Sequence, residues 1–142
     1  MSMMMDDISR VITSDPIRYE VGEFALQSGG GEEGVKRLVT AFYHYMDTIP
    51  EADPIRLLQK GSRGRYMDNL TNLFLVWIGG RDPNDNRISQ KGTTVFSVAI
   101  TQRQKNAWLC CLQKALDEQN YPELYKRFIM VQFSIYAEMC CQ

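Results

Sequence analysis

The stretch "GGEEGVKRLVTAFYHYMDTIPEADPIRLL", residues 30–58, decides the fold. It opens within the run Gly29 to Gly31, which frees the chain to turn, and Glu32 and Glu33 then suit the positive end of a following helix. Val35, Leu38, Val39, Phe42 and Met46 recur at the i, i+3, i+4, i+7, i+11 spacing of one buried face, with Tyr43 on its flank. The spacing predicts a helix from about Glu32 to Asp47. At about 100° per residue, His44, the sole histidine, falls opposite that face. It is expected in solvent, as neither metal ligand nor catalytic base. Pro50 and Pro54 follow, and Ile55 to Leu58 reads as a single short helical turn.

Further along, a second long helix is expected from about Arg65 to Ile78, with Met67, Leu70, Phe74, Trp77 and Ile78 inward and Gly79-Gly80 as its left-handed stop. Residues 81–92, "RDPNDNRISQKG", are turn chemistry throughout. Thr101 and Gln104 form a capping box that starts a third helix, whose apolar face is Ala107, Trp108, Cys111, Leu112, Ala115 and Leu116 and whose end lies near Gln119. Pro122 suits the first turn of a last helix, striped by Leu124, Phe128, Val131, Ile135 and Met139. Thr93 to Ala99 is β-favourable in composition only. The fold class is therefore all-α, four main helices with a long irregular connection. Residues 1–19, Met- and Asp-rich with Pro16, read as a loosely held N-terminal extension with at most one short helix, and 20–142 as the domain.

A chain of 142 residues supports one core. A formal charge of −1 gives no broad cationic field, so neither nucleic acid nor a membrane is an expected partner. The basic run "KGSRGR", Lys60 to Arg65, reads as a solvated interhelical loop. No apolar run approaches the roughly 20 residues of a membrane span, and the acids in "MSMMMDDISR" do not suit a signal peptide, so a cytoplasmic location is expected. The cysteines come as the adjacent pairs Cys110-Cys111 and Cys140-Cys141, whose side chains diverge on a helix; they read as reduced thiols rather than bridges or a zinc site. No metal is expected. Nor is there a nucleophile paired with histidine, a phosphate-cradling loop or an HExxH motif. Asp82, Asn84 and Asp85 lack the glycine and glutamate of an EF-hand and read as a turn.

Three stretches in order, residues 30–58 together with "NLFLVWIGG" and "AWLCCLQKALDE", resemble the group II truncated haemoglobins, over roughly Phe24 to Glu118 with a compatible final helix. The resemblance implies a shortened, bacterial-type globin fold: two antiparallel helix pairs, two on two, crossed around a haem. It places Tyr43 at the distal tyrosine position, where it would donate to an iron-bound ligand, and Trp108 at the indole position beside it.

The chain departs from that pattern around the cofactor. The family's iron ligand is a histidine shortly before a phenylalanine leading into the third helix; counted back from Phe96, that position is Thr93. A hydroxyl is a poor ligand for haem iron beside imidazole, thiolate, thioether or tyrosinate. Gln59 stands where the family usually sets an aromatic residue or histidine against the haem, and Gly92 where a basic residue meets a propionate. The connection from Gly80 to Thr93 is also shorter than usual. The expectation is a haem-free, globin-like binding or regulatory module with no cofactor, whose partner is a protein or a small apolar ligand. Its vestigial haem pocket would comprise Tyr43, Gln59, Met67, Phe74, Thr93, Phe96 and Trp108, with bulky side chains closing the space. The alternative is a haem b protein, binding oxygen or reacting with peroxide or nitric oxide, its iron held by Tyr43, Lys91 or a methionine.

Overall fold

The computed structural model describes residues 19–82, 84 and 92–142. The expected extension, apart from Tyr19, and Lys91 and Asp85 lie outside the described residues. The elements are α1 (Glu23–Ser28), α2 (Gly31–Thr48), a 3-10 turn Pro50–Ala52, α3 (Asp53–Arg56), a second 3-10 turn Leu57–Gln59, α4 (Arg63–Trp77), α5 (Gln102–Glu118) and α6 (Glu123–Met139). No strand occurs among the described residues; Ile100 and Cys141 form an isolated bridge.

The long helices begin and end where their local chemistry directs. Gly30 (φ 90°) and Gly31 (φ 67°) take the left-handed turn into α2. The Val35, Leu38, Val39, Phe42 and Met46 face is buried throughout, and Tyr43 is buried with it. Gly80 (φ 65°) follows the end of α4. At α5 both halves of the capping box form: Gln104 N–H donates to Thr101 Oγ1 at 3.1 Å, and Thr101 N–H to Gln104 Oε1 at 2.9 Å. Each of the six apolar residues expected inward on α5 is buried.

α2 packs against α4 and α5, and α5 against α6, which gives two helix pairs crossed over a shared core. The four residues between α5 and α6 fold the second pair back on itself. α2 stops at Thr48, just ahead of Pro50, and the two prolines also start the next two helical segments. Pro50 lies in the first turn of a 3-10 segment and Pro54 in that of α3, so one short turn becomes an almost continuous helical run from 50 to 59. α1 carries no periodic signal, being only six residues long. Tyr19 packs its ring on Phe24, Tyr125 and Phe128.

α6 corrects the sequence reading. Its inward residues are Tyr125, Ile129, Phe133 and Ala137, whereas Leu124 (45 % exposed), Val131 (55 %), Ile135 (48 %) and Met139 (68 %) face outward and Phe128 is half-buried. The helix has two apolar stripes, and the one bearing Tyr125 and Phe133 has aromatic volume enough to fill the space beside α5. At about 100° per residue the two faces lie roughly 140° apart around the helix.

Candidate functional site

Two features meet between α2, α4, α5 and the segment 92–96. The first is polar. α2's apolar face carries Tyr43 inward, where its hydroxyl donates to Gln59 Oε1 at 2.7 Å. Gln59 ends the second 3-10 turn with no exposed surface, and its Nε2 donates to the Val95 carbonyl at 3.0 Å. From α4, Asn69 Nδ2 donates to the Thr94 carbonyl at 2.7 Å and Asn72 Nδ2 to that of Gly92 at 3.0 Å. Three buried amides thus hold the carbonyls of Gly92, Thr94 and Val95, suspending the segment that carries Thr93. Thr93 itself is half-buried.

Arg63 braces this clasp from outside. It makes a two-pronged ion pair with Asp47 at 2.7 and 2.8 Å, donates from Nε to the Gln59 carbonyl at 3.0 Å, and lies 4.7 Å over the Tyr43 ring. The hydrogen bond from Arg63 holds the Asp47 carboxyl below its ordinary range. Burial pushes the Tyr43 phenol far above its usual range, against a smaller opposing pull from Arg63. Tyr43 is therefore a neutral hydrogen-bond donor.

The second feature is apolar. Trp108, fully buried, takes Phe42 edge-on at 5.3 Å and Phe96 at 5.2 Å, and its indole lies 6.1 Å from Phe133. Phe74 lies 5.5 Å from Phe133. An enclosed cavity of about 10 Å³ remains among Leu38, Val39, Phe42, Leu70, Phe74, Trp108, Leu112 and Phe133. That is room for one water, and its walls are apolar. Among the described residues, buried Trp108 Nε1 and Asn69 Oδ1 have no hydrogen-bond partner.

Sequence-derived site residues therefore fall into two groups. Tyr43 and Gln59 bond to each other; Phe74, Phe96 and Trp108 share the aromatic centre. Phe96 and Met67, expected inward, are only half-buried. Phe96 sits edge-on to Trp108 and stacks on Tyr136, while Met67 sits one turn from the solvent end of α4. Phe133, Asn69 and Asn72 escape the sequence reading. The last two have a signal, a pair of amides three residues apart on a helix whose neighbours Leu70 and Leu73 are core.

Elsewhere, His44 is exposed on the outer side of α2. Asp82 accepts from the Asn84 N–H at 2.9 Å, the turn contact expected there. The cysteines are free thiols; Cys111 is buried and its burial pushes it up to about 12, whereas Cys110 points toward the surface.

This arrangement of helices defines the class: a truncated, two-on-two globin fold. The Bacterial-like globin family matches residues 26–139, and the chain belongs to that family. Two solved structures share its fold. One is a cold-adapted truncated hemoglobin from the Antarctic marine bacterium Pseudoalteromonas haloplanktis TAC125, with a TM-score of 0.67 and 20 % identity over 83 % of this chain and 97 % of that one. The other is a group II 2-on-2 hemoglobin from the plant pathogen Agrobacterium tumefaciens, with a TM-score of 0.65 and 20 % identity over 92 % and 98 %. No curated protein sequence matches the chain. Among the described residues no helix is long and apolar enough to cross a membrane.

Proposed function

We propose that this truncated globin works without haem, as a binding or regulatory module whose partner is a protein or a small apolar ligand. One observation carries the reading: the chain's sole histidine is exposed on α2, while the ligand position implied by the resemblance holds Thr93, on a segment fastened by protein amides. The donor set suits haem iron poorly. A threonine hydroxyl is a weak ligand, and Tyr43 keeps its proton and spends it on Gln59. Gln59 also brings a buried amide, bonded at both ends, to the position where the family sets a ring against the haem. The apolar cavity beside Trp108 holds no more than one water-sized group without movement of its walls, which favours a protein partner over an apolar ligand.

A second reading, a haem b protein, is favoured by one feature. The matched structures are haemoglobins, and Trp108 Nε1 is a buried donor without an acceptor, as it would be if it served a missing ligand. Hemin titration of the purified protein, read by absorbance and by stoichiometry, separates the two. The expected outcome is no sharp Soret band at one haem per chain. A sharp band at that ratio, lost on changing Tyr43 or Lys91 and indifferent to Thr93→Val, would establish the haem protein instead.

A further inference from the structure

The outer face of α6 has no role in the site, and only Phe128 on it, against Tyr19 and Tyr125, reaches the core. Leu124, Val131, Ile135 and Met139 are 45 to 68 % exposed and, with half-buried Phe128 between them, form one straight stripe. It is about 22 Å long at the rise of a helix. We propose that this stripe is a homodimer interface, in which α6 packs antiparallel against the α6 of a second copy of the chain.

Charge and register select that occupant. Arg127 and Glu138 flank the stripe on the same side, near opposite ends of α6. Arg127 is exposed, and Glu138, though it accepts from Lys105 at 2.8 Å and from Gln102 at 3.1 Å, keeps 57 % of its side chain in solvent. A two-fold axis across an antiparallel pair leaves each flank on its own side, so every Arg127 can face the partner's Glu138. That same register sets Phe128 between the partner's Ile135 and Met139, and Ile135 between the partner's Phe128 and Val131. Phe128, Val131, Ile135 and Met139 each then enter a gap in the facing stripe, and the helix dipoles oppose. One alignment satisfies charge and shape together, as a self-complementary surface requires. The exposed apolar area of the stripe is on the order of 400 Å² per copy, as large as the biggest patch a monomer ordinarily leaves bare. That is about half of the roughly 800 Å² per partner of a standard interface, leaving the rest to a polar rim.

Sedimentation velocity of the full chain from about 1 to about 200 μM tests this, with far-ultraviolet circular dichroism confirming that each variant is folded. The expected result is a monomer–dimer equilibrium that Val131→Glu and the milder Ile135→Gln each weaken, the former by at least about tenfold. Arg127→Glu should weaken the dimer, and adding Glu138→Arg should restore most of it. A chain monomeric throughout overturns the proposal, whether the stripe is bare or covered by residues 1–18. So does a dimer indifferent to Val131→Glu and Ile135→Gln, or a charge swap that restores nothing.

Discussion

The aromatic centre and the amide clasp adjoin each other and are held by opposite means. Around Trp108 the contacts are apolar and non-directional, so neighbours can move to share a loss. At Gln59 every bond has a direction, and removing one partner strands another. Large side chains should therefore dominate total stability at the centre, while at the clasp the coupling between residues should exceed the effect of their size.

Trp108→Ala tests the first half and should show the largest loss, about 4 kcal/mol in urea unfolding. A cost under about 1 kcal/mol would mean that the centre is loosely filled. Gln59→Leu comes next, at about 2–3 kcal/mol, since it leaves the Tyr43 hydroxyl and the Val95 carbonyl without partners. Tyr43→Phe alone should cost about 1–2 kcal/mol, and far less in the Gln59→Leu background. Strict additivity of the two in a double-mutant cycle would erase the difference between clasp and centre.

Buried phenols, one of them in the clasp, also set an alkaline limit. Burial raises Tyr43, and likewise Tyr125 and Tyr136, above the phenol's ordinary value, so the unfolded chain loses these protons first. Their neutral forms fit the fold fully below pH about 10, and stability falls as pH rises beyond it, by up to ~1.4 kcal/mol per pH unit for each phenol. Urea midpoints from pH 9 to 11 should show that decline, less steeply in Tyr43→Phe. The smallest effect belongs to His44→Gln, within about 0.5 kcal/mol, because His44 touches neither region. A loss of several kcal/mol there would show that the outer side of α2 is itself a built site.

α2 and α5 are legible in the sequence because each has one apolar stripe and an unambiguous start, the glycine run at 29–31 and the Thr101–Gln104 box. α6 is not. Its apolar residues make two stripes, and periodicity alone does not say which one meets α5; that choice is made by the volume left beside Trp108. At the site, Gln59 is singled out only by what the sequence resemblance implies, and its bonds to Tyr43 and Val95 span 16 and 36 residues and have no local trace. Asn69 and Asn72 are hidden for a related reason, since an amide on a helix suits solvent until the carbonyl it satisfies is seen. Thr93 is singled out only by the resemblance, counted back from Phe96, and nothing in its own segment announces that its neighbours' carbonyls are held.

Cys111 gives the core a clock. Its thiol is buried on α5 and held up to about 12, so at neutral pH it is both inaccessible and protonated, while Cys110, Cys140 and Cys141 are each partly exposed. An alkylating reagent should mark those three first and reach Cys111 only when α5 swings away from α2. The delay between the two phases would then report how often the centre of the molecule opens, with no label introduced.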